Sequence, residues 1–206
     1  LSASGNNVTT SFDGTQLTVT PDENYNGDVE ITVEANDGEY TGSTSFTLTV
    51  TPVNDAPSLA TLSDTVIVED GVYTLELSGA DVDGDALTFQ ASVDGNGSVS
   101  VDGSTLTVNP AQDFNGDLTV SVIASDGQAS GSGIFTLTVT PVNDAPLISG
   151  LEDQAIDEDS SLTFSITATD IDGDELTLSA SGEYVTTNFD GTQLTVTPDE
   201  NYNGDV

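Results

Sequence analysis

The chain has 206 residues, with 36 Asp plus Glu, no Lys, Arg or His, and a formal charge of −36. No side-chain ion pair can form, phosphate has no basic partner, and a compact chain of this charge repels itself unless cations offset it. Nucleic acid and anionic membrane surfaces are thereby excluded as partners, and no apolar run is long enough for direct membrane insertion.

The chain lacks Cys, which removes disulfides, zinc–thiolate sites and thiol nucleophiles. The acids are 25 Asp against 11 Glu. Asp is the residue of turns and hard-cation sites, where oxygen must sit close to the backbone. Hydrophobic residues make up 35% and alternate with Thr and Ser, which argues for folded sheets over a disordered acidic tail.

In chain order, residues 1–57 read as the back part of one repeat, 58–146 as a complete repeat and 147–206 as the front part of a third. Pro-Val-Asn-Asp-Ala-Pro stands at 52–57 and 141–146, and Asp-x-Asp-Gly-Asp at 81–85 and 170–174, both 89 residues apart. Residues 178–206 match residues 1–29 at 26 of 29 positions. Repeats of two alternating types are expected to continue in both directions. Incomplete units are expected to be less stable, or to pair their sheet edges between chains.

In the middle repeat, period-two alternation predicts strands near Val66–Val68, Tyr73–Ser78, Leu87–Ser92, Ser98–Val101, Thr105–Asn109, Leu118–Ala124 and Ile134–Thr140. Asp-Gly, Asn-Gly and Gly-Asp turn signals separate them. No window reads as a helix. Seven short strands in one repeat predict an all-β fold of tandem immunoglobulin/cadherin-like Greek-key β-sandwiches in an extended array.

Four acidic segments recur at fixed places. Glu69-Asp70 and Glu158-Asp159 end a first strand. Asp81-x-Asp83-Gly-Asp85 and Asp170-x-Asp172-Gly-Asp174 follow a second. Asp113-Phe-Asn115 matches Asn24-Tyr-Asn26. The linkers carry Asn54-Asp55 and Asn143-Asp144, and Asp37 or Asp126 follows the sixth strand. Strand ends gather at the poles of a sandwich, where clustered carboxylates repel one another. Calcium takes about 6–8 oxygens from carboxylates, amides and backbone in irregular geometry. The residue types fit it better than zinc, which favours His and Cys. Asp-x-Asp-Gly-Asp also reads as a solvated turn, and Pro-Val-Asn-Asp-Ala-Pro as a stiff spacer.

Taken together, this ordered set resembles the cadherin repeat. It is closer still to the cadherin-like tandem repeats of large bacterial (RTX-type) surface adhesins. The resemblance implies Ca2+ at each junction. At the first, Asn54 and Asp55 of the linker would act with Asp81, Asp83 and Asp126. At the second, Glu69 and Asp113 would act with Asn143, Asp144, Asp170 and Asp172. Asp85 and Asp174 would add weaker oxygens. Departures at Pro52, Pro141, Ala56, Ala145 and Asn115 imply fewer ions per junction than the cadherin pattern supports.

The expected role is a calcium-rigidified extracellular stalk segment of a bacterial cell-surface adhesin, whose partners are the neighbouring repeats of its own chain. A carbohydrate- or cell-binding module stands beside it, with glycans or like repeats as partners, and so does a spacer in a large secreted enzyme. Catalysis has little support, because the usual nucleophile–base pairs need residues this chain lacks. Most of the five Tyr and seven Phe follow the core pattern; Tyr40 and Tyr184 look free to face outward.

Overall fold

The computed structural model describes all 206 residues, in 19 strands and no helix. The N-terminal stretch holds β1 (Ser2–Ser4), β2 (Val8–Asp13), β3 (Gln16–Pro21), β4 (Gly27–Asn36) and β5 (Thr41–Val50). The middle repeat holds β6 (Ser58–Leu59), β7 (Thr65–Val68), β8 (Tyr73–Glu76), β9 (Gly79–Ala80), β10 (Thr88–Val93), β11 (Gly97–Asp102), β12 (Thr105–Pro110), β13 (Gly116–Ser125) and β14 (Ser130–Thr140). The C-terminal stretch holds β15 (Leu147–Ser149), β16 (Leu162–Ser165), β17 (Thr167–Thr169), β18 (Val185–Asp190) and β19 (Gln193–Pro198). The chain divides into two compact units: residues 1–67, 71–111 and 116–138, and residues 68–70, 112–115 and 139–206.

All seven strands expected in the middle repeat form. They make one sheet in the order β10-β13-β14-β7 and another in the order β11-β12-β8. That is the connectivity of an immunoglobulin-type sandwich: β11–β12 and β13–β14 pair within one sheet, and the chain crosses between the sheets from β7 to β8, from β10 to β11 and from β12 to β13. The alternation sorts side chains as period two requires. Leu106 and Val108 of β12, Leu118, Val120 and Val122 of β13, and Leu137 of β14 are fully buried, while the intervening Thr and Ser face out. Tyr73 of β8 tilts against Phe135 of β14 with ring centroids 5.9 Å apart. The β11–β12 hairpin turns on Gly103 and Ser104, with Gly103 at φ 60°, a conformation Gly adopts without strain.

Two short strands lie outside the expected set. β6 pairs with β9, and a Cβ on Gly79 would fall 2.6 Å from the Ser58 carbonyl oxygen, so only Gly allows the approach. In the N-terminal stretch, β4 and β5 pair over their whole length and bury Val29 and Ile31. Phe46, which corresponds to Phe135, is 45% exposed against 2% for Phe135. The difference follows from β8, which supplies Tyr73 to Phe135 and has no counterpart in residues 1–57. In the C-terminal stretch, β15 pairs with β17 and the sheet β16-β19-β18 buries Leu194.

Candidate metal centres at the two linkers

At the first linker, Asp81-Val-Asp83-Gly-Asp85 closes on itself. Asp81 Oδ1 accepts the amides of Asp83 (2.9 Å) and Asp85 (3.3 Å), and Gly84 N–H donates to the Asp81 carbonyl with Gly84 at φ 81°. The fold of the turn presents Asp83 Oδ2 to the linker, where it accepts Asp55 N–H at 2.8 Å. Asn54 Nδ2 donates to Asp126 Oδ2 at 2.9 Å, and Gln128 Nε2 donates to Asn54 Oδ1 at 2.9 Å. Asp126 Oδ1 caps its own hairpin by accepting the amides of Gln128 and Ala129.

These donors stabilise the charged form. The Ala129 amide, then Asn54, then the Gln128 amide hold the Asp126 carboxyl below the ordinary value of 3.8. The predicted set Asn54, Asp55, Asp81, Asp83 and Asp126 is therefore one hydrogen-bonded group. Asp85 contributes its amide and has an exposed side chain. One acidic oxygen is left over: Asp81 Oδ2 is buried without a partner. Asn24 and Asn26 line a cleft of about 250 Å³ together with Asp55 and Asp83.

At the second linker the same frame recurs. Asp170 Oδ1 accepts the amides of Asp172 (3.0 Å) and Asp174 (3.3 Å), and Asp172 Oδ2 accepts Asp144 N–H at 2.7 Å. Asn143 Nδ2 donates to the Asp144 carbonyl at 2.8 Å. Glu69 is only 5% exposed; it accepts Val142 N–H through Oε1, and its own amide donates to the Thr140 carbonyl. Carboxylate oxygens of Glu69, Asp144 and Asp172 all lie within 4.8 Å of one another. Asp113 N–H donates to Asp70 Oδ1 at 3.2 Å.

No basic side chain compensates this convergence. The Asp144 carboxyl is pushed above 3.8 by desolvation first, then by the charges of Asp113, Asp172, Glu69 and Asp70. Asp70 belongs to the group although the ligand set inferred from the sequence omits it. The available signal is conformational. Asp70 and Asp113 both sit at positive φ (59° and 55°), as do Asp159 and Asn201 in the next repeat, where Asp159 Oδ1 again accepts the partner amide. Asp and Asn tolerate that region best.

The donor chemistry of both linkers is uniform: carboxylate, side-chain amide and backbone oxygen, with no His or Cys ligand anywhere in the chain. Such a set suits a hard cation held by many oxygens, which is calcium rather than zinc. The buried unpartnered oxygen of Asp81 and the crowded Glu69–Asp144–Asp172 group are what a bound cation would satisfy.

The bacterial Ig domain family matches the chain twice, at residues 54–140 and 143–206. No curated protein matches it. Among solved structures, an endo-fucoidan hydrolase from glycoside hydrolase family 107 aligns at 16% identity and a TM-score of 0.38, covering 97% of this chain and 34% of that one. Human protocadherin-24 EC1-2 aligns at 17% identity and a TM-score of 0.39, covering 71% of this chain and 81% of that one. Domains 4–9 of the surface layer protein SbsC align at 16% identity and a TM-score of 0.34, covering 95% and 34%. The chain thus spans about a third of the hydrolase's length. At these scores the assignment rests on the family match and the strand connectivity. The chain belongs to the bacterial Ig domain family and carries that domain in tandem.

Proposed function

We propose that the chain is a stalk segment of an extracellular bacterial surface adhesin, and that calcium bound at its linkers stiffens it. The observation that carries this reading is the convergence of Glu69, Asp144 and Asp172 in a chain with no basic side chain to neutralise them. Asn143 and Asp170 complete the second site, with Asp70 and Asp113 beside it. Asn54, Asp55, Asp81, Asp83 and Asp126 form the first. Asp144 and Asp55 both lie in a linker, and each donates one backbone N–H hydrogen bond to the following turn. An ion there ties linker to domain and restricts the hinge.

Calcium that binds only the folded state stabilises it by mass action, by about 2.7 kcal/mol at a hundredfold excess over Kd. For domains of this size that is a rise in Tm on the order of 10 °C. Calorimetry of the calcium-stripped chain, titrated with calcium and in parallel with magnesium, tests the proposal. A saturable rise selective for calcium is expected. No rise with either ion would sink the calcium reading and leave the acidic segments as turns.

A further inference from the structure

We propose that Tyr184, Tyr202 and Glu183 form a platform that binds an amino sugar, with its pyranose face on the ring and its ammonium group beside the acid. The site is separate from the linkers and does not rest on the calcium reading.

The first observation is a near-duplicate within the chain. Residues 178–206 differ from residues 1–29 at three positions only, and two are adjacent: Glu183 and Tyr184 stand where the first copy has Asn6 and Asn7. The backbone hydrogen bonding is the same in both. Asp22 N–H donates to the Asn7 carbonyl and Asp199 N–H to the Tyr184 carbonyl, each at 2.9 Å. Tyr25 and Tyr202 each donate a hydroxyl hydrogen bond to the carbonyl three residues on.

The second observation is where the new Tyr sits. Seven non-glycine residues have positive φ; six are Asn or Asp, and the seventh is Tyr184 at 58°. An aromatic residue there is strained, whereas Asn7 occupies the same turn at 57° with little penalty. Core packing does not account for that strain, because Tyr184 is 56% exposed. Its ring lies on Tyr202, with centroids 4.8 Å apart and planes 9° from parallel. The Tyr202 hydroxyl is anchored on the Asp205 carbonyl at 2.8 Å, so the stacked pair is held flat with the Tyr184 ring exposed.

The ligand follows from chemistry. A Tyr face carries negative charge density and attracts C–H edges and cations. A pyranose ring offers a flat patch of C–H groups of matching size. The replacement that added the ring also added a carboxylate, in a chain of charge −36. An anionic glycan is repelled, and a sugar bearing a free ammonium satisfies ring and acid together.

The test is titration of the 206-residue chain with a glucosamine hexamer, followed by tyrosine fluorescence, which is unobscured because the chain has no Trp. Physiological salt screens the remaining carboxylates, and the N-acetylglucosamine hexamer serves as the uncharged twin. Saturable binding is expected. Tyr184→Asn restores the residue that the same turn holds in the first copy, keeps the net charge, and should weaken binding about tenfold. Tyr40→Asn, at an exposed ring outside this turn, should leave it unchanged. The acetylated twin should bind several-fold more weakly. Absence of saturable binding, equal binding by Tyr184→Asn, or equal binding of both hexamers each overturns the proposal, whatever the calcium melts show.

Discussion

The two linkers are written in the same letters and end in different electrostatic states. At the first, Asp83 and Asp126 each meet a donor from the linker, and only Asp81 Oδ2 is buried without one. Asp83 takes the Asp55 amide, Asp126 takes two backbone amides and the Asn54 side chain, and its carboxyl is held below its ordinary value. At the second, Asp172 still takes the Asp144 amide, but Asp144 faces Asp113, Asp172, Glu69 and Asp70 and is pushed above its ordinary value. The residues described differ on both flanks: Asp126 and Gln128 of the following domain stand at the first linker, and Glu69, Asp70 and Asp113 of the preceding domain at the second. The first linker has Asn24 and Asn26 beside it where the second has Asp113 and Asn115. Three carboxylates, Glu69, Asp70 and Asp113, crowd Asp144, and none of them has a counterpart beside Asp55 in residues 1–57. A cation is worth most where crowding is greatest.

The largest expected effect is therefore at the second linker, and its sign depends on calcium. Asp144→Asn and Glu69→Gln each remove one like charge while keeping shape, and the amide oxygen introduced by Glu69→Gln can still accept the Val142 N–H. In stripped protein both should raise Tm. In saturating calcium both should lower it relative to wild type, with loss of most of the rise on the order of 10 °C expected for a filled site. Asp55→Asn at the first linker should show the same crossing with smaller amplitude. A uniform loss of Tm in both conditions would mean these acids are structural caps and that the contrast between linkers is empty. Glu69→Ala is a different experiment. It removes a part-buried hydrogen bond from Val142 N–H to a charged acceptor, at about 1.5–3 kcal/mol with or without calcium.

A gain of function sharpens the comparison further. Asn24→Asp gives the first linker the Asp-aromatic-Asn pattern of residues 113–115. The backbone already accepts it, since Asn24 sits at φ 59° and Asp113 at 55°. The stripped variant should melt a few degrees lower than wild type, and its calcium-dependent rise should be larger. Isothermal titration should show tighter binding at this linker. Unchanged affinity would show that the exchange of Asn24 for Asp113 does not set the difference.

Much of this was legible in the sequence, and the part that was not has a common cause. Seven strands of the middle repeat stand within two residues or so of the alternation at most ends, because each buries a full period-two face. β8 stops at Glu76 rather than Ser78, although Leu77 keeps the buried face of the alternation and donates its amide to the Ser104 carbonyl. β6 and β9 are two residues each and have no period to read. Repeat spacing alone pointed to the acids that gather at each linker. It could not rank them, because Asn54 is claimed by Asp126 and Gln128 only once the hairpin lies against the linker. Asp70 was hidden likewise: its place in the group depends on Asp113, which is 43 residues away.

The smallest effect is also the one whose sign separates the linkers without any ion. A carboxyl raised in the folded state destabilises it while charged. For Asp144 that penalty is full above its raised value and disappears as pH falls through it toward 3.8. A lowered carboxyl does the reverse. The contribution of Asp126 is full above 3.8 and lost as pH falls below it through the folded value. Asp37 and Asp94, held down chiefly by the Tyr40 amide and by Thr119, lose theirs over a similar range, and Glu76, held by Thr105, starts from 4.5. Calcium-stripped protein should thus gain Tm on mild acidification and lose it on further acidification. Asp144→Asn should abolish the gain and keep the loss, whereas Asp126→Asn should keep the gain and blunt the loss. With calcium bound the first limb should invert, because protons then compete with the ion for Asp144 and its neighbours. A stripped-protein melt that only falls with acid would show that the crowding at Asp144 is relieved in solution by other means, and the contrast between the linkers would lose its electrostatic basis.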